Sequence, residues 1–266
     1  MSIKVCIMKK TRYLTENWAL VEENDKVFMA KVIIHNEHGE AKFEFKQISK
    51  CYDEISDFDE NGIAVVRNSG IHGFIDECGN EIVKPQYEMM GRIFDKYYWT
   101  GNILSSLFRI LNKKGEIMCE YEHLYTNGEA KAAIVELSKG RFGIINSECQ
   151  EIHKREYEEL NWCGYFLKGR IGNTLVMINI EGEEVFSIQD ARITALIDGY
   201  FDVQIGREHG RLNPEMKLII PIAYEEISVC RNGFFTATIE RDRGYQLVQE
   251  FDKEGRKIGK EVWVRY

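Results

Sequence analysis

Apolar and polar positions alternate in short runs along most of the chain. GIAVVR at 62–67, HGFID at 72–76, FRILN at 108–112, RFGIIN at 141–146, LVMIN at 175–179 and GFFTATIE at 233–240 are examples. Each is short and rich in β-branched or aromatic residues, which predicts strands rather than helices. Between them lie CGNE, KKGE, SECQE, IEGEE and KEGRK, whose Gly, Asn and acidic residues predict turns that reverse the chain. The elements come as antiparallel hairpins, and the expected fold class is all-β.

The pattern repeats. Tyrosines followed by an acidic residue stand at 52, 87, 121, 157 and 224, in YDEI, YEMM, YEHL, YEEL and YEEI. The gaps are 35, 34, 36 and 67 residues, the last close to twice the others. The anchor missing between Tyr157 and Tyr224 falls near Ala191, where ARITAL takes its place. Each copy holds a Gly-initiated strand, a second apolar strand, a turn and a short closing strand. A degenerate copy runs from Trp18 to Lys50. The reading is one repeat domain over residues 1–266, with seven four-stranded units at about 18–51, 52–86, 87–120, 121–156, 157–190, 191–223 and 224–260. One meander has exposed edges and cannot bury both faces, so copies must stack. A stack that closes is a β-propeller, usually of about 4–8 blades. One that does not close is an open β-solenoid or twisted array. Seven units favour closure, with an N-terminal strand at 3–8 placed to pair with the last strand at 261–266.

The unit YDEISDFDENGIAVVRNSGIHGFIDECGNEIVKPQY, residues 52–87, resembles the WG-repeat family of bacterial proteins. The shared pattern is a Tyr-Asp start, a Gly-x-Ala-x-Val strand, a Trp-Gly-[FY]-Ile-Asp segment and an apolar close. His72 stands in place of the Trp, and Gly73, Phe74, Ile75 and Asp76 match. Phe142-Gly143-Ile144-Ile145 and His209-Gly210 keep the glycine, and the other units are similar mainly through their period. The resemblance implies a non-enzymatic interaction scaffold rather than an activity; a protein partner and no cofactor are expected.

Composition narrows the function further. With 44% apolar and 12% aromatic residues the chain can bury a sizeable core. A net charge of −8 argues against a general nucleic-acid binder, which needs a basic face. From Tyr200 onward 11 Lys and Arg balance 11 Asp and Glu, which leaves room for a basic patch at Arg207, Arg211, Arg231, Arg241 and Arg243. A solvated charged surface is the simpler account of it. The seven cysteines are odd in number and scattered, which does not suit a secreted disulfide framework and points to a reducing cytoplasm. No run approaches the roughly 18 apolar residues of a membrane span. MSIKVCIMKK lacks the apolar core of a signal peptide.

Candidate chemistry is sparse. DFDENG at 57–62 has the spacing that opens a calcium loop, but position 12 is Asn68, which cannot close such a site. The equivalent turns of other units keep the Gly and lose the carboxylates, so a polar hairpin turn is expected. His35 and His38 in HNEHGE lie on a predicted turn with no third ligand nearby, so no metal site is expected. Nucleophile-elbow, phosphate-loop and zinc-protease motifs are absent, and no residue is expected to be catalytic. The most distinctive segment is DKYYWTGN at 95–102. Strand alternation puts Tyr97 and Trp99 on one face and Tyr98 on the other. Core packing is the simpler expectation; at a loop tip the three would form a partner-binding patch, and Trp162 in NWCGYF poses the same choice. The alternative function is sequestration of a small, nucleotide-like anion by Arg207, Arg211 or Arg231.

Overall fold

The computed structural model describes residues 10–14, 17–37, 40–127, 131–196, 198–229 and 233–265. The expected strand at 3–8, His38 and Arg231 lie outside them. Among the described residues there is no helix. The strands form seven successive antiparallel meanders, here sheets 1 to 7, at residues 10–47, 54–87, 89–121, 124–146, 159–189, 191–224 and 226–265. Each sheet pairs its strands in chain order, as a propeller blade does. Six have four strands. Sheet 4 has three, and its outer segment is reduced to isolated bridges, Phe142 to Tyr157 and Ile145 to Glu151. The described residues fall into two compact units, one ending at His123 and the other starting at Leu124.

In sheets 2 to 7 the turn that follows the third strand has one chemistry. Asp76, Asn112, Asn146, Asn179 and Asp252 each accept the backbone N–H groups two and four residues on, and Asn213 accepts that of Lys217. The residue three positions on has positive φ: Gly79, Gly115, Cys149, Gly182, Met216 and Gly255. The side chain thus satisfies amides that a tight turn leaves unpaired.

A second constraint lies in the glycine of the family segment. In sheet 2 the pairing of Ile71–Asp76 with Glu81–Tyr87 slips between His72 and Phe74, and the outer strand bulges over Gly73. A Cβ on Gly73 would lie 2.3 Å from the Val83 carbonyl oxygen and 2.6 Å from the Pro85 nitrogen. Sheet 6 repeats the device: a Cβ on Gly210 would lie 2.9 Å from the Ile220 carbonyl oxygen. The two outer strands share the same alternation of buried and exposed positions, ending on buried Tyr87 and Tyr224.

Four of the five anchor tyrosines, Tyr52, Tyr87, Tyr157 and Tyr224, are buried and join sheets within each unit, whereas Tyr121 is half-buried. Tyr52 exchanges backbone hydrogen bonds of 2.8 Å with Val27 of sheet 1. Its ring is buried among Leu20 and Met29 of sheet 1 and Ile55, Val66 and Ile75 of sheet 2. Its hydroxyl donates to Glu81 (3.1 Å), which also takes the Lys50 ammonium (2.5 Å). Tyr157 repeats this in the second unit. It pairs with Phe142, packs between sheets 4 and 5, and donates to Glu184 (3.2 Å), which is held by the Arg155 fork. Burial and Glu184 push the Tyr157 hydroxyl up to about 12, and burial and Glu81 push Tyr52 up as well. Burial opposes ionisation of Glu81, but hydrogen bonds from Lys50 and Tyr52 outweigh it, and the carboxyl titrates below its ordinary 4.5. Hydrogen bonds from Arg155 lower Glu184 too.

This packing makes stability sensitive to one glycine and to two carboxylates. Gly73→Ala should cost about 1–3 kcal/mol through overpacking, whereas Gly206→Asn, at φ 59 with open space around it, should cost much less in the same urea titration. Because Glu81 and Glu184 have lowered folded-state pKa values, their stabilisation is present above 4.5 and lost as pH falls through the folded value. The double variant Glu81→Gln, Glu184→Gln should therefore lose about 1–3 kcal/mol at neutral pH. Its urea midpoint should also fall less steeply than that of the parent between roughly pH 5 and 3.

Candidate functional site

The aromatic run at 97–99 is a strand in the middle of sheet 3, Tyr97–Gly101, paired on both sides. Tyr97 and Tyr98 are buried. Tyr98 packs on Phe74 (5.0 Å between ring centroids) and donates its hydroxyl to Asp59 (2.5 Å). The Lys96 ammonium lies 5.4 Å from the Tyr97 ring centre. Trp99 lies across its cross-strand partner Gly91 and against Phe108, at 6.0 Å. The run is not at a loop tip, and packing occupies both of its faces.

The acidic turn DFDENG divides its roles. One Asp59 carboxylate oxygen accepts the amides of Asn61 (2.8 Å) and Ile63 (3.1 Å), and the other accepts the Tyr98 hydroxyl. Asp59 closes the turn and ties sheet 2 to sheet 3. Asp57 points elsewhere and pairs with Arg12 at 2.8 Å. His35 is in a strand, Lys26–Glu37, rather than a turn, and meets Glu44 at 3.0 Å. Among the described residues no three His, Cys, Asp or Glu side chains are grouped to hold a metal.

Trp162 is half-buried in the first strand of sheet 5, Glu159–Cys163. It lines a pocket of about 440 Å³ with Tyr125, Ile134, Phe142, Leu160 and Asn161. Leu160 and Ile134 form the floor through the core between sheets 4 and 5, and Tyr125 stands at the rim with 48% of its surface exposed. The first strand of sheet 4 is only two residues long, Leu124–Tyr125. Tyr125, Phe142 and Trp162 are far apart in sequence and form no local motif, so only the fold gathers them around one pocket.

Arg207 and Arg211 do not share a surface. Arg207 is exposed in the hairpin turn after Phe201–Ile205, and Arg231 lies outside the described residues. Arg211 is buried, with 1% of its surface exposed. It occupies the position in HGRLN that Phe74 fills in HGFID, so a guanidinium stands where sheet 2 has a core ring. It donates to the Ile227 carbonyl (2.7 Å) and stacks 5.3 Å from the Phe235 ring centre. Its Nε and Nη1 have no partner among the described residues. Burial lowers its pKa, and the fields of Asp202 and Asp198 offset this only in part. Replacing a buried, incompletely bonded charge with an apolar chain of similar length removes that cost. Arg211→Met should raise the urea midpoint, by about 1–4 kcal/mol in stability; a lower midpoint would mean that the Ile227 bond and the Phe235 stack outweigh desolvation.

The family model described as the WG containing repeat matches residues 48–70 and 73–100, which hold most of sheet 2 and of the first two strands of sheet 3. No curated protein matches the chain. Among solved structures, 93% of the chain is similar to 79% of BamB from Moraxella catarrhalis, at 12% identity and a TM-score of 0.30. Likewise 93% is similar to 93% of Hsv2 from Kluyveromyces lactis, at 7% identity and a TM-score of 0.34. Similarities this distant carry no argument about function.

Proposed function

We propose that this chain, whose residues 48–70 and 73–100 match the WG containing repeat, is a non-enzymatic β-repeat scaffold that holds a protein partner in a reducing cytoplasm. The observation that carries the reading is the pocket around Trp162. It combines an apolar floor with half-buried Phe142 and Trp162 and a half-exposed Tyr125. Aromatic side chains that are rigid and partly dry dominate the energetics of protein interfaces. Exposed thiols at Cys51 and Cys78 fit a reducing compartment.

A second reading, sequestration of a small anion, is favoured by one observation, the two unpartnered donors of Arg211. The two readings separate in one pair of experiments. The tagged chain is used to capture partners from its native lysate, followed by native mass spectrometry. The scaffold reading expects a stoichiometric protein whose capture falls at least about tenfold with Tyr125→Ala, a typical loss for an interface hot spot. It expects no change in melting temperature with nucleotides. A rise in melting temperature with nucleotides, absent in Arg211→Met, would support the anion reading instead.

A further inference from the structure

The first unit holds a second pocket, of about 520 Å³, lined by Leu14, Asn17, Trp18, Met29, Asp57, Phe58 and Glu77. Leu14, Met29 and Phe58 belong to the core between sheets 1 and 2, which gives the pocket an apolar floor. Trp18 and Phe58 are half-buried, so both aromatic rings remain partly accessible. Two carboxylates stand among them. Asp57 is already paired with Arg12. Glu77 has no hydrogen-bond or ion-pair partner among the described residues. Its side chain lies against Gly62, where a Cβ would come within 3.1 Å of the Glu77 carboxyl carbon. The glycine of the acidic turn therefore leaves room for an unpaired negative charge beside two aromatic rings.

We infer that this pocket receives a lysine or arginine side chain of a protein partner. An aliphatic stem fits the apolar floor, and a cation at its end is attracted both by ring faces and by the Glu77 carboxylate. The volume is in the range of about 300–1,000 Å³ typical of ligand-binding clefts. The net charge of −8 favours encounter with a basic partner. The inference rests on the scaffold reading and specifies the chemistry of the partner.

The test uses the full chain labelled with nitrogen-15, with the Trp18 indole resonance assigned through Trp18→Phe. The probes are the N-acetyl, N-methylamide derivatives of lysine and arginine, with the norleucine derivative as an uncharged control. The expected result is a saturable shift of the Trp18 resonance with the two cationic probes only. It should weaken about fivefold or more in the double variant Asp57→Asn, Glu77→Gln. Both of these residues are exposed, and an unchanged spectrum elsewhere verifies the fold. An equal response to norleucine, or none to the cations, overturns the inference. Partner capture that is unaffected by the double variant overturns it while leaving the scaffold reading intact. Cation binding with no captured protein overturns both the scaffold reading and the assignment to a protein side chain, and identifies a site for a free small cation.

Discussion

Buried tyrosines at the sheet junctions are the interaction on which each unit depends. A single four-stranded repeat cannot bury its hydrophobic faces by itself. Tyr52 and Tyr157 solve this with one residue each, because their backbone extends one sheet while the ring enters the core shared with the next. A buried tyrosine covers roughly 150–250 Å² and must find a partner for its hydroxyl. Glu81 and Glu184 supply it, and Lys50 and Arg155 hold those carboxylates ionised. Tyr87 and Tyr224 reach the same place from the end of an outer strand, and Tyr224 packs edge-on against Phe251 at 5.7 Å. At the junction of sheets 5 and 6 a small Ala191 takes the position, and Phe201, Met177 and Leu212 fill the core beside it.

The repeat is legible in the sequence because its causes are local. Alternation marks strands, and the Asp or Asn that opens the third turn in sheets 2 to 7 acts within four residues. The anchor tyrosines are visible by their spacing. Their partners are not, since Tyr52 and Glu81 are 29 positions apart and no local pattern joins them. The role of Gly73 and Gly210 is hidden for a similar reason. It follows from a bulge in the neighbouring strand, which only the folded sheet reveals.

The candidate site is less legible. Tyr97, Tyr98 and Trp99 stand out by composition, yet their strand is central and paired on both sides, so packing consumes them. Trp162 stands out as one residue, whereas its pocket draws on Tyr125 and Phe142 from another sheet. The acidic turn misleads when read as a unit. Asp59 serves the turn and Tyr98, while Asp57 faces Arg12 and a pocket.

Comparison between repeats offers a sharper guide than unusual composition. Every copy must satisfy the same packing, so a residue that departs from its equivalents at a cost to stability needs a reason outside the fold. Arg211 is such a residue, a buried cation at the place of Phe74 with two donors unpaired among the described residues. Glu77 is a different case: its position varies among the copies and the exposed carboxylate costs little, but it has no partner among the described residues and stands beside Trp18 and Phe58. Stability alone would favour an apolar residue at the first position and is indifferent to the second. Stacked repeats share the burden of folding among many equivalent contacts, and this leaves single positions free to take on recognition.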